Sequence, residues 1–103
     1  MTKQQAYERI REMQRENDDA AFFDEGFTIA DLQRLIDTGQ AWHTSGSIGR
    51  AAMRAMEAGV CMLGDKVRRD AYGNPVPSYD LVSDGTKGSL QLAADYWGIE
   101  LSE

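Results

Sequence analysis

The residues that could do chemistry in this chain are few, and none of them forms a recognised catalytic pattern. His43 is the only histidine and lies beside Trp42 in a short polar segment. A histidine that acts as a general base needs a nucleophile and an orienting acid nearby, and the sequence shows no such pairing. Cys61 is the only cysteine and lies in the apolar stretch VCML, where a cysteine usually packs as a small hydrophobic side chain. We therefore expect a protein that is not an enzyme.

No metal or cofactor site is predicted. One cysteine can form neither an intramolecular disulfide nor a cysteine-based zinc site, and the carboxylates of residues 18–25 show no recognised ligand spacing. Residues 46–50 open a predicted helix, where free N–H groups could hold an anion. They lack the preceding strand of a phosphate-binding loop, and capping of the helix by Ser47 explains the same pattern.

A cluster of cationic residues and tyrosines is the most distinctive chemical feature. Arginine and tyrosine are favoured at interface hot spots because they bring large contact areas and directional hydrogen bonds. We predict a partner-binding surface made of Arg50, Arg54, Lys66, Arg68, Arg69, Tyr72 and Tyr79. The alternative is that the arginines pair with the abundant acids of the chain and that Lys66 complements a helix C-terminus. The sequence favours neither interpretation.

The net charge of −6 is unevenly distributed, because two acidic ends flank a slightly basic middle. An acidic protein is not attracted to nucleic acid as a whole, but it could meet a basic surface on a partner. The simpler interpretation is that the negative charge keeps a small protein in solution. If the acids mimic nucleic acid, they should form one continuous face.

A helix-turn-helix is disfavoured by the length of the connection between the second and third predicted helices. Residues 38–46 join them, about nine residues, whereas this motif uses a turn of about 3–4 residues. The net charge also has the wrong sign for DNA. A nucleic-acid or nucleotide binder that uses the central basic cluster therefore stays as the alternative to a protein-binding function.

The elements that must position these residues are predicted to be helices. Apolar spacing and capping signals place them near residues 3–17, 28–37, 47–63 and 89–97. Thr28, with Phe27 and Leu32 as a hydrophobic staple, and Ser89 are the clearest N-terminal signals, and Gly39 and Gly98 suit left-handed C-terminal positions. The predicted core comprises Ile10, Phe27, Leu32, Leu35, Ile36, Ile48, Ala52, Met56, Leu63 and Trp97.

Helical periodicity disappears between the third and fourth helices. The stretch AYGNP has strong turn chemistry, and Pro75 and Pro77 argue against a central strand. We expect an ordered Pro/Gly loop wrapped over the helices, in which a short hairpin could form. The predicted fold is all-α or mainly α, a small four-helix domain that spans residues 1–103 as one unit.

Small residues line one face of the third predicted helix. Ala51, Ala55 and Gly59 follow one another at four-residue spacing, which allows another backbone to approach closely. Packing within the core is the favoured interpretation, and a homodimer seam is the alternative.

The sequence predicts a cytoplasmic protein. No apolar run approaches the roughly 20 residues of a membrane span, and the N-terminal stretch MTKQQAYERIREMQREN lacks the apolar centre of a signal peptide.

Several uncommon short motifs occur together in one order, LIDTGQAW, GSIGRAAMRAMEAGVCMLG, RDAYGNPVPS and GTKGS, over residues 35–89. In this combination the chain resembles a group of small uncharacterised proteins encoded by tailed bacteriophages. The resemblance implies no established activity, so no site residue follows from it. At the level of class it implies binding and inhibition of a host protein in the bacterial cytoplasm, including a defence component such as a CRISPR effector. A counter-defence protein of the anti-CRISPR type is thus one expectation.

Overall fold

The computed structural model describes residues 2–17, 28–44 and 46–101, and within these ranges the chain is mainly helical. Its helices are α1 (Lys3–Glu16), α2 (Ile29–Thr38), α3 (Gly46–Ala58) and α4 (Leu90–Trp97). Two 3-10 turns, Gln40–Trp42 and Tyr79–Leu81, and an antiparallel ribbon of β1 (Arg68–Arg69) and β2 (Pro75–Val76) lie between them. The predicted mainly helical fold class is confirmed. No helix of the described part of the chain is long and apolar enough to cross a membrane.

The N-terminal caps of α2 and α4 match the sequence signals. Thr28 Oγ1 accepts a hydrogen bond of 3.1 Å from the N–H of Asp31, and Ser89 Oγ accepts one of 3.1 Å from the N–H of Leu92. Each bond satisfies an amide that the first helical turn leaves without a partner. Phe27, the proposed staple residue before Thr28, lies outside the described residues.

The C-terminal ends of α2 and α4 also match. Gly39 and Gly98 adopt the left-handed conformation, with φ of +83° and +72°, which only glycine enters without strain. After Gly98, the N–H of Ile99 donates to the carbonyl oxygen of Ala94 at 2.8 Å. These glycines fix where the chain leaves each helix.

The predicted bounds of α3 are wrong at its C-terminal end and shifted at its start. The helix begins at Gly46, so Ser47 lies in its first turn, and it ends at Ala58 instead of continuing to residue 63. Gly59 adopts φ +84°, and a β-carbon there would lie 2.9 Å from the carbonyl oxygen of Leu92 on α4. The left-handed conformation of Gly59 ends the helix. The close passage of α4 also leaves no room for a side chain at this position.

The small-residue stripe of α3 packs inside the chain. Ala51 and Ala55 have no solvent exposure, and Gly59 meets the backbone of α4. The core-packing interpretation is therefore confirmed. The stripe cannot form a homodimer seam, because α4 and the rest of the core already cover it.

The core contains most of the predicted residues. Ile10, Leu32, Ile36, Ala52, Met56 and Leu63 are buried, and Leu35, Ile48 and Trp97 are half-buried and pack against them. Phe27 again lies outside the described residues.

Two buried glutamines hold residues 60–64, an irregular segment that crosses the core after α3. Gln14 on α1 donates from Nε2 to the carbonyl oxygen of Val60 at 3.0 Å and to Gln33 Oε1 at 2.8 Å. Gln33 on α2 donates to the carbonyl oxygen of Met62 at 2.9 Å and accepts from its N–H at 3.0 Å. A buried backbone group left without a partner costs about 1–3 kcal/mol, so these side chains replace the hydrogen bonds of regular structure.

Asp37 ties α1 to α2 beside this segment. Its Oδ1 accepts hydrogen bonds of 2.8 Å from the Tyr7 hydroxyl and the Gln33 amide. Arg11 Nη2 lies 3.2 Å from Oδ2, but Oδ2 has no hydrogen bond, so we regard this contact as electrostatic. Burial raises the pKa of Asp37, although its donors and Arg11 act in the opposite direction.

Candidate partner-binding surface

Three adjoining depressions meet at Trp42, where α3 faces the β-ribbon. One, of about 530 Å³, runs along α3. The second, an apolar cleft of about 270 Å³, lies between α3 and the ribbon. The third, of about 370 Å³, lies beside the ribbon tip that carries Tyr72. We call the residues that line the three depressions the Trp42 surface.

Trp42 is positioned by a turn that is bonded to the ribbon. The 3-10 turn starts after Gly39, and a β-carbon on that glycine would come within 3.3 Å of the Arg68 side chain. The carbonyl oxygen of Trp42 accepts from the N–H of Ala71 at 3.1 Å, and His43 Nε2 lies 2.6 Å from the carbonyl oxygen of Arg69. The indole N–H of Trp42 is buried and has no partner among the described residues. The turn and the ribbon thus form one unit across from α3.

The ribbon tip is preformed by Asp70. Its Oδ1 accepts 2.9 Å hydrogen bonds from the N–H groups of Tyr72 and Asn74, and Gly73 supplies the required left-handed residue at φ +81°. The hydrogen bond from Asn74 is the main cause that lowers the pKa of Asp70. Tyr72 is 90% exposed on this turn, so its ring is presented to solvent by a backbone that is already ordered.

The cleft between α3 and the ribbon is mostly apolar. It is lined by Trp42, Met53, Met56, Leu63, Pro75, Val76, Pro77 and Val82, together with Asp70 and Lys87. Trp42 and Met53 also line the depression along α3. The apolar cleft and the cationic face of α3 therefore adjoin each other.

Arg50 and Arg54 supply the positive charge of this surface. Both are exposed on α3, and four residues of helix separate them by about 6 Å along the axis. Arg50 forms none of the ion pairs found in the described part of the chain. Its guanidinium lies back towards Gly46, where a β-carbon would come within 3.0 Å of Nη1, so the charge sits at the N-terminal turn of α3.

The structure brings together three of the residues that the sequence predicted for a partner surface. Arg50 and Arg54 line the depression along α3, and Tyr72 lines the depression at the ribbon tip. Trp42 is common to both depressions, so the three side chains share one surface. Lys66 is exposed but lines none of the three depressions.

The remaining predicted site residues serve the fold. Tyr79 is only 7% exposed and stacks on Tyr7 with ring centroids 5.1 Å apart, so its assignment to a partner surface is corrected. Arg68 is half-buried and donates from Nε to the carbonyl oxygen of Asp37 at 3.0 Å. Arg69 donates to the carbonyl oxygen of Gly73 at 2.8 Å, which braces the ribbon tip.

Sequence reasoning missed the apolar half of the surface. The predicted partner surface does not include Trp42, Met53 or Val76. Val76 stands between Pro75 and Pro77, a pattern that fixes an extended backbone and could have marked the cleft wall.

The two side chains considered for catalysis, Cys61 and His43, each contact a backbone carbonyl oxygen. Cys61 is buried, and burial raises the pKa of its thiol; Sγ lies 3.7 Å from the carbonyl oxygen of Ile29. His43 is exposed and meets a backbone carbonyl. Within residues 2–17, 28–44 and 46–101, no group of three or more histidine, cysteine or acidic side chains could hold a metal ion. The acidic residues 18–25 lie outside these ranges.

The chain matches no protein-family model, no curated protein and no solved structure. Function must therefore follow from the chemistry of the surface itself.

Proposed function

We propose that this chain is a non-enzymatic binding protein that holds a partner protein on the Trp42 surface. The observation that carries the proposal is the meeting of three features: an apolar cleft, an exposed tyrosine on a preformed turn, and two exposed arginines. Buried anchors surrounded by aromatic and arginine side chains are the usual composition of interface hot spots. Because the ribbon tip is ordered before binding, little conformational entropy remains to be lost there.

We propose that the partner is a host protein in the bacterial cytoplasm and that occupying its surface inhibits it. The support for this step is the resemblance of residues 35–89 to small tailed-phage proteins. It directs the search for the partner to host defence components, of which a CRISPR effector is one example. The chain would then act as a counter-defence protein without catalysis.

A second candidate function is nucleic-acid or nucleotide binding at the same place. The observation that favours it is the exposed ring of Tyr72 on a surface that also carries Arg50 and Arg54, because bases stack on aromatic rings and phosphates pair with arginine. The apolar cleft argues against it, since methionine, valine and proline give a phosphate backbone no hydrogen bond.

The test is a pull-down from a bacterial host lysate at low and high salt. The bait is the full chain, compared with an Arg50→Glu/Tyr72→Ala variant and with Tyr96→Ala as a matched control. All three positions are exposed, and Tyr96 on α4 lines none of the three depressions. We expect one protein to be retained by the wild type and the control and lost by the double variant.

Two results would contradict the proposal. One is a wild-type chain that retains no protein even at low salt. The other is a retained protein that the double variant binds as well as the wild type does. Saturable micromolar binding of single- or double-stranded DNA probes at low salt, lost in the double variant, would favour the second candidate instead.

A further inference from the structure

The Trp42 surface has two parts that differ in chemistry and lie side by side. The apolar cleft has a volume of about 270 Å³, whereas a cavity of about 150 Å³ already accommodates benzene. The cleft can therefore take one bulky apolar side chain with its attachment to a backbone. Beside it, Arg50 and Arg54 form a cationic ledge on α3.

We infer that the occupant of this surface is an acidic segment of the partner protein that carries one bulky apolar anchor. This inference rests on the proposed function and names the chemistry of the segment that binds. The anchor fills the cleft between α3 and the ribbon, and neighbouring carboxylates pair with Arg50 and Arg54. Met53 lines both the cleft and the ledge, so one short segment reaches both parts.

The arginine side chains of α3 select carboxylates in the segment. Arginine pairs carboxylates with two parallel hydrogen bonds, which makes the match directional.

The surrounding charges determine where along α3 the acids of the segment bind. Glu57 lines the same depression one turn after Arg54 and repels carboxylates there. Arg50 lies at the other end, near Gly46, where the positive end of the α3 dipole adds to its charge. The acids of the segment therefore lie towards the N-terminal half of α3.

The remaining charges near the cleft nearly cancel. Asp70 and Lys87 both line it, and Asp70 is held by the amides of the ribbon tip. The chain as a whole carries a charge of −6, so long-range attraction does not draw an acidic segment to it. The selection of acids is local to the arginine ledge, and it weakens as salt rises.

The experiment is a selection from a random-peptide display library on the immobilised full chain. Wild type, Arg50→Glu/Arg54→Glu and the control Tyr96→Ala are each used as bait, after circular dichroism shows that all three fold. We expect wild type and control to enrich peptides with glutamate or aspartate beside an aromatic or large aliphatic residue. The charge-reversed variant should enrich lysine or arginine in place of the acids.

Affinity of the best enriched peptide, measured by fluorescence anisotropy, provides the second readout. We expect Arg50→Glu/Arg54→Glu to bind it about tenfold more weakly or worse, since two surface ion pairs become repulsive contacts. Enriched peptides without acids, unchanged affinity in the charge-reversed variant, or displacement of the peptide by single-stranded DNA would each overturn the inference. A host protein retained only by wild type and control, together with a failed peptide selection, would leave the proposed function standing and this inference refuted.

Discussion

Replacing Gln33 by alanine should destabilise the fold far more than the same replacement of an exposed glutamine on a helix surface. Gln33 is 1% exposed, and among the described residues it is the hydrogen-bond partner of both the Met62 N–H and the Met62 carbonyl oxygen. Its amide also donates to Asp37 Oδ1 at 2.8 Å. Truncation to alanine therefore leaves the N–H and the carbonyl oxygen of Met62 without a hydrogen-bond partner in the core. It also removes one hydrogen-bond donor from the buried carboxylate of Asp37.

The expected magnitude follows from these lost partners. Each buried group left unpaired costs about 1–3 kcal/mol, so Gln33→Ala should cost about 3–5 kcal/mol. Gln14→Ala provides an internal comparison, because it removes a side chain of the same size. After that change Val60 keeps the Trp97 indole N–H at 3.1 Å, so we expect only about 1–2 kcal/mol.

The assay is urea unfolding at 25 °C followed by fluorescence, for which the two tryptophans serve as probes. Gln40→Ala, at an exposed position of the 3-10 turn, is the control and should change stability by less than about 0.5 kcal/mol. The double variant Gln14→Ala/Gln33→Ala should show coupling, because the two amides bond directly at 2.8 Å. Equal costs for Gln14→Ala and Gln33→Ala, or a cost below about 1 kcal/mol for Gln33→Ala, would refute the role of the glutamine pair.

Three further predictions address the helix contacts and the buried carboxylate. Ala55→Leu should overpack the core and cost about 1–3 kcal/mol. Arg69→Ala removes one exposed hydrogen bond to the ribbon tip and should lower the melting temperature much less; equal melting temperatures for the two variants would contradict this. Gly59→Ala should cost about 2–3 kcal/mol in urea unfolding, because φ is +84° and Leu92 lies in the way. Gly98→Ala, with φ +72° and open space around it, should cost only about 1 kcal/mol, and a reversed order would argue against the close helix contact. Burial raises the folded-state pKa of Asp37 above its ordinary 3.8, so the wild type should gain stability relative to Asp37→Asn as pH falls through that raised pKa towards 3.8. A parallel pH dependence of the two proteins in urea unfolding would contradict that assignment.

Local signals in the sequence were sufficient for most helix ends. Thr28, Gly39, Ser89 and Gly98 act through contacts a few residues away, so their residue types alone predict the caps. The end of α3 was missed because the apolar run VCML fits a helix and a buried irregular segment equally well. Gly59 carried the missing signal, but its left-handed conformation depends on how closely α4 approaches.

Long-range contacts explain what the sequence did not reveal about the surface. Tyr79 resembles an interface residue in a turn-rich loop, yet it stacks on Tyr7 from the first helix. Gln14 and Gln33 are polar residues typical of an exposed helix face, and they are buried here because residues 60–64 lie against both side chains. In the same way, the apolar cleft exists only where the ribbon folds back over α3.

Site-specific photocrosslinking tests the central claim most directly, namely that a partner protein contacts the Trp42 surface. A benzophenone amino acid is placed at Tyr72 in one sample and at Tyr96 in another, both in the full chain within a bacterial host lysate. These side chains are 90% and 48% exposed, so both positions tolerate the probe. We predict a single crosslinked host protein from Tyr72 that is absent from Tyr96 and disappears when Arg50→Glu is added. Crosslinking to that protein from Tyr96 but not from Tyr72 would contradict the account.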